Sequence, residues 1–96
     1  MSQPYQALEV PPPARERGGT EILRAAIVDG GLHVALQRAF DDPDAWGIVL
    51  ADIAQHVSEA YAAETEISTE EAMARIRDLF NAELDSPTDS DSTSAG

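Results

Sequence analysis

The chain has 96 residues and a formal net charge of −12, all six of its basic side chains being arginine. With no cluster of positive charge it cannot displace counterions from a phosphate backbone, which argues against nucleic acid and anionic membrane surfaces as partners and leaves a basic protein as the better charge match. It has no cysteine, which excludes disulfides and thiolate metal sites and makes the cytoplasm the default compartment.

Residues 1–19 open without the basic segment and apolar run of a secretory signal. Pro11, Pro12 and Pro13 have fixed φ and no donor N–H, so this stretch reads as an extended arm. Leu8 and Val10 alternate and offer a short additional strand.

Residues 20–40 read as an antiparallel β-hairpin. Glu21 to Val28 and Leu32 to Phe40 flank Asp29-Gly30-Gly31, a sequence that tolerates positive φ. A two-residue loop at Asp29-Gly30 pairs Ile27 with Leu32; one at Gly30-Gly31 pairs Ile27 with Val34. Either register puts Leu23, Ala25, Ile27, Leu32, Val34 and Leu36 on one apolar face. The other face is mixed and carries Arg24, His33 and Gln37.

Residues 43–63 read as a helix, with Asp42 as N-cap and Pro43 in the first turn. Trp46, Leu50, Ile53, Val57 and Tyr61 recur at spacings of three and four and form its apolar stripe. Residues 69–84 read as a second helix. Ser68 and Glu71 have capping-box spacing, Ile67 is placed as a staple, and Glu71 and Arg75 make an (i, i+4) pair in the favourable order. Met73, Ile76, Leu79, Phe80 and Leu84 form the second stripe. Residues 85–96 are rich in Ser, Thr and Asp and read as a disordered acidic tail.

The expected architecture is therefore α+β: one ββαα domain over residues 20–84, its hairpin packed against two α-helices. So short an ordered region is marginal without metal or disulfide, and a hairpin leaves two open edges. Self-association relieves both problems, so a homodimer is expected.

The segments Glu21-Ile22-Leu23-Arg24-Ala25, Asp29-Gly30-Gly31-Leu32-His33, Asp42-Pro43-Asp44-Ala45-Trp46-Gly47 and Leu50-Ala51-Asp52-Ile53-Ala54-Gln55-His56-Val57 together resemble a small bacterial family, mostly alphaproteobacterial, catalogued as domain of unknown function 5076. The resemblance spans roughly residues 6–64. It implies a short cytoplasmic α+β protein and assigns no activity or functional residue.

No catalytic signature stands out. Cysteine is absent, there is no Gly-x-Ser-x-Gly elbow, and Ser68 serves as a cap. The paired glycines lack the spacing and the lysine of a phosphate loop. Asp52, His56 and Glu59 share a helical face that resembles a metal site, but a closed site needs more ligands, and a solvated polar face is the preferred reading. Asp41, Asp42 and Asp44 lack the offsets of a calcium loop and are explained by capping. No cofactor is expected. Arg24, His33 and Gln37 are candidates for holding an anion or for a subunit contact, and His56 is a further candidate facing a cleft formed in the dimer. The function expected is a non-enzymatic interaction or regulatory module; the alternative is a small anionic-ligand-binding protein or accessory enzyme with its pocket at the dimer interface.

Overall fold

The computed structural model describes residues 4–87. Its elements are α1 (Pro12–Arg17), β1 (Leu23–Val28), β2 (Gly31–Leu36), α2 (Asp44–Glu64) and α3 (Thr69–Asp85). The class is α+β, with a two-stranded antiparallel sheet.

The arm contains a helix where an extended segment was expected. Pro12 and Pro13 occupy its first two positions, where a missing N–H removes no helical bond and the fixed φ already suits the helix. The amides of Arg15 and Gly18 donate to the carbonyls of Pro11 and Ala14, and the chain leaves through Gly18 at φ 81°. Among the described residues the arm adds no third strand, and Leu8 is 96% exposed.

The hairpin adopts the Asp29-Gly30 register: Ile27 faces Leu32, Ala25 faces Val34 and Leu23 faces Leu36. Asp29 at φ 52° and Gly30 at φ 82° make the left-handed turn that matches the strand twist. Beyond the strands, the Gln37 amide donates to the Ile22 carbonyl at 3.1 Å.

At the start of α2, the Asp42 carboxylate accepts from the Asp44 amide at 3.0 Å and Pro43 already has helical angles. The N-cap position is Pro43, one residue later than read from the sequence, and the Asp42 carboxylate acts from the position before it. At α3, the Ser68 hydroxyl accepts from the Glu71 amide at 3.0 Å. The Glu71 carboxylate is engaged by Arg75, 2.6 Å away. Between the helices, the Thr65 hydroxyl donates to the Tyr61 carbonyl at 2.7 Å and accepts from the Ile67 amide at 3.2 Å. That short connection returns α3 against α2.

The helices meet through small residues. Ser58 is fully buried and Ala72 is 4% exposed; these are the two buried positions among the described residues. Ala54, Ser58 and Ala62 fall on one face of α2 and are its less exposed positions there. Small side chains let two helices approach closely. The Ser58 hydroxyl is satisfied by the Ala54 carbonyl at 2.9 Å, one turn back. The larger stripe at Leu50, Ile53, Val57 and Tyr61 is left exposed.

The expected packing of the hairpin on the helices is not found among the described residues. Packing between elements is limited to β1 with β2 and α2 with α3. Ile27 is 70% exposed and Leu36 is 61% exposed, on the face expected to be covered. The hairpin is tied to α2 only at its exit. The Trp46 indole N–H donates to the Arg38 carbonyl at 2.6 Å, and the Phe40 and Trp46 rings meet edge to face. This local joint sets the course of the chain, and the helices satisfy each other through their small-residue seam. The apolar hairpin face is then left without a partner among the described residues.

Candidate functional site

On the mixed hairpin face, β1 carries Arg24 and β2 carries His33, with Gln37 one residue past its end. In the observed register Arg24 lies opposite Ala35, so both His33 and Gln37 are diagonal to it. Arg24 Nη2 reaches both Glu21 carboxylate oxygens, at 3.0 and 2.9 Å, and its Nε reaches Oε1 at 3.2 Å. Arg24 Nη1 donates to the Tyr5 hydroxyl at 3.4 Å. Tyr5 first and then Glu21, by accepting these bonds, hold the guanidinium above the ordinary arginine pKa. The stability a raised pKa contributes is complete below the unfolded value and lost only above the folded one. Arg24 is therefore a constant cation across neutral pH.

Gln37 Nε2 donates to the Glu21 carbonyl at 3.0 Å. Glu21 thus engages both candidates, Arg24 through its side chain and Gln37 through its backbone. These residues line a shallow cleft of about 200 Å³ with Ile22, Leu23, Ala35 and Leu36. His33 is exposed and pairs across the sheet with Ala26. Chemically, the cleft presents a fixed guanidinium and a side-chain amide to solvent, with an internal carboxylate already in the position an external one would take.

His56 lies on α2, with Nδ1 3.9 Å from the Glu59 carboxylate, which also accepts from Gln55. Its observed neighbours are on its own helix rather than on the hairpin. Among the described residues no group of three or more His, Cys, Asp or Glu side chains is placed to hold a metal. No helix among them is long and apolar enough to cross a membrane.

The larger concavity is apolar. An open groove of about 650 Å³ runs along the helix pair, lined by Tyr61, Ile67, Ala72, Ile76, Leu79, Phe80 and Leu84, with Arg75 and Glu83 also contributing. Ile76, Leu79, Phe80 and Leu84 of this lining belong to the α3 stripe read from the sequence. Its most exposed members, Leu79 and Leu84, remain about two-thirds exposed.

A family model described as a domain of unknown function (DUF5076) matches residues 7–88. The chain belongs to this family. The match runs from the arm past the end of α3, so the resemblance read over residues 6–64 extends through α3 of this DUF5076 protein. A solved structure from the photosynthetic bacterium Rhodopseudomonas palustrus CGA009, provisionally described as a pyruvate dehydrogenase, is similar over 100% of the DUF5076 chain and 99% of its own. The two are 44% identical, with a TM-score of 0.76. No curated protein matches.

Two members of the Arg24 cluster escaped the sequence reading. Tyr5 is distant in sequence from the hairpin, and nothing in the arm marks its hydroxyl as a partner for Arg24. Glu21 had a legible signal: it stands three residues before Arg24 with opposite charge.

Proposed function

We propose that this DUF5076 protein is a non-enzymatic, homodimeric interaction module. The observation that carries the reading is the uncovered apolar hairpin face, with Ile27 and Leu36 its most exposed members. Isolated exposed apolar residues are ordinary, but a contiguous face of them on a sheet marks an interaction surface. The two open strand edges and the small buried core favour the same reading, because a second copy supplies the missing burial. Sedimentation at high micromolar concentration tests it. A two-chain species is expected; a single monomeric species rules the reading out.

A second reading has its own support in the cleft at Arg24 and Gln37, which suits a small carboxylate or phosphate. The similar R. palustrus protein is provisionally described as a pyruvate dehydrogenase, and pyruvate is a small carboxylate, so pyruvate is a natural probe. Such an anion has to displace Glu21 from the Arg24 fork. Thermal-shift titration with pyruvate and inorganic phosphate tests this. A response abolished by Arg24→Ala supports it; a flat response ends it. A basic protein partner fits the net charge and is tested by co-purification at low salt, where such a complex is strongest.

A further inference from the structure

We infer that two copies of this chain exchange their apolar surfaces reciprocally, the hairpin face of each seated in the α2–α3 groove of the other. This deepens the homodimer reading and rests on it.

The two surfaces match in chemistry. The hairpin face presents Ile27, Leu32, Val34 and Leu36, with no charged residue among its members. The groove presents Tyr61, Leu79, Phe80 and Leu84, and its charged contributors, Arg75 and Glu83, are of opposite sign. The net charge of −12, which opposes the approach of a second copy, is therefore carried mainly outside the contact.

They also match in size. Each set of four side chains, about half or more exposed, offers roughly 400 Å² of apolar surface. Reciprocal exchange buries one hairpin face and one groove on each chain, about 800 Å² per partner, which is the size of a standard stable interface. Pairing hairpin with hairpin alone, or groove with groove alone, buries about half of that and leaves the other surface in water. The arrangement also closes: a contact between two different patches extends without limit unless the same two molecules make it twice, and a two-fold axis does so. Each chain carries both halves of one core that it does not close by itself.

Because the chain has no cysteine, single introduced thiols give an unambiguous test. Full-length Ile27→Cys and Leu79→Cys proteins are prepared separately, mixed, and treated with a short bis-maleimide, alongside each variant alone and the double variant. Sedimentation of each untreated sample records whether it is dimeric. The expected result is a covalent dimer in the mixture, several-fold above either variant alone. Efficient cross-linking of Ile27→Cys alone, or of Leu79→Cys alone, overturns the exchange while leaving a homodimer in place. So does a dimeric mixture that fails to cross-link. Cross-linking within single chains of the double variant, together with monomeric sedimentation, overturns both the exchange and the homodimer. If either cysteine variant is monomeric while the unmodified chain is dimeric, Leu36→Cys with Leu84→Cys replaces the pair and is judged by the same outcomes.

Discussion

The edge of one ring in the Phe40–Trp46 pair points at the face of the other, with centroids 5.9 Å apart and planes at 77°. This contact, with the Trp46 indole bond to the Arg38 carbonyl, joins the end of the hairpin to the first turn of α2. Trp46→Phe removes the hydrogen bond and keeps an aromatic ring. It should cost about 1 kcal/mol, because the Arg38 carbonyl still accepts from the Phe40 amide. Trp46→Ala should cost about 2–4 kcal/mol, the lower side of the range for aromatic truncation because the ring is only half-buried. Urea denaturation at fixed protein concentration measures both; equal costs for the two variants would show that the ring contact contributes nothing.

Ala39 stands inside that joint at φ 67°. Its neighbours close a γ-turn, the Phe40 amide donating to the Arg38 carbonyl at 2.7 Å. Ala39→Gly relieves the left-handed strain and loses some unfolded-chain restriction, two effects of about 1 kcal/mol that oppose each other. Ala39→Val adds β-branching where φ is positive and should cost about 1–2 kcal/mol. The paired variants are read by thermal denaturation; a valine variant as stable as the glycine variant would remove the turn from the account.

Ser58 and Ala72 set how closely α2 and α3 approach. Ser58→Ala deletes a hydroxyl bonded only within its own helix and should change stability by less than about 1 kcal/mol. Ser58→Leu forces a large side chain into a fully buried site and should cost at least about 1–3 kcal/mol. Far-ultraviolet circular dichroism during denaturation follows the helix pair directly. A tolerated leucine would mean that the seam is looser than the burial of Ser58 implies.

Gly30 occupies φ 82°, and an added Cβ there would meet no atom within 4 Å. The cost of Gly30→Ala is therefore conformational rather than steric, about 1 kcal/mol. The same substitution at Gly31 should cost less, because its φ lies outside the left-handed region. Comparing the two midpoints tests the Asp29-Gly30 register; the reverse order would indicate a one-residue shift of the turn.

If the fold is completed by a second copy, its melting temperature depends on protein concentration. Raising the concentration a hundredfold should raise the midpoint, since association adds to the stability of the folded state alone. Ile27→Glu, which places a charge at the turn end of the apolar hairpin face, on its most exposed large residue, should abolish that dependence and yield monomer. Arg24→Ala, on the opposite face, should leave it unchanged. A concentration-independent midpoint for the unmodified chain would remove the assembly.

Local chemistry made most of the elements legible in sequence. The Asp29-Gly30 turn, the Ser68 cap, the Asp42 carboxylate and the Glu71–Arg75 pair each involve residues within four positions of one another, so short-range rules suffice. The α1 helix was missed because Pro11, Pro12 and Pro13 are equally compatible with an extended arm and with a helix that starts at its second proline. The Tyr5 contribution to the Arg24 cluster was missed because it depends on where the arm lies in space.

By itself, the sequence determined the class, the order of the hairpin and the two long helices, and the two faces of the ribbon, since periodicity and capping are properties of neighbouring residues. Only the tertiary structure decided which faces meet. Periodicity marks a side as apolar but does not name its partner, and packing favours whatever surfaces approach most closely. Here the small seam of Ala54, Ser58 and Ala72 joins the helices, while the larger apolar residues that the pattern marks as core remain at the surface.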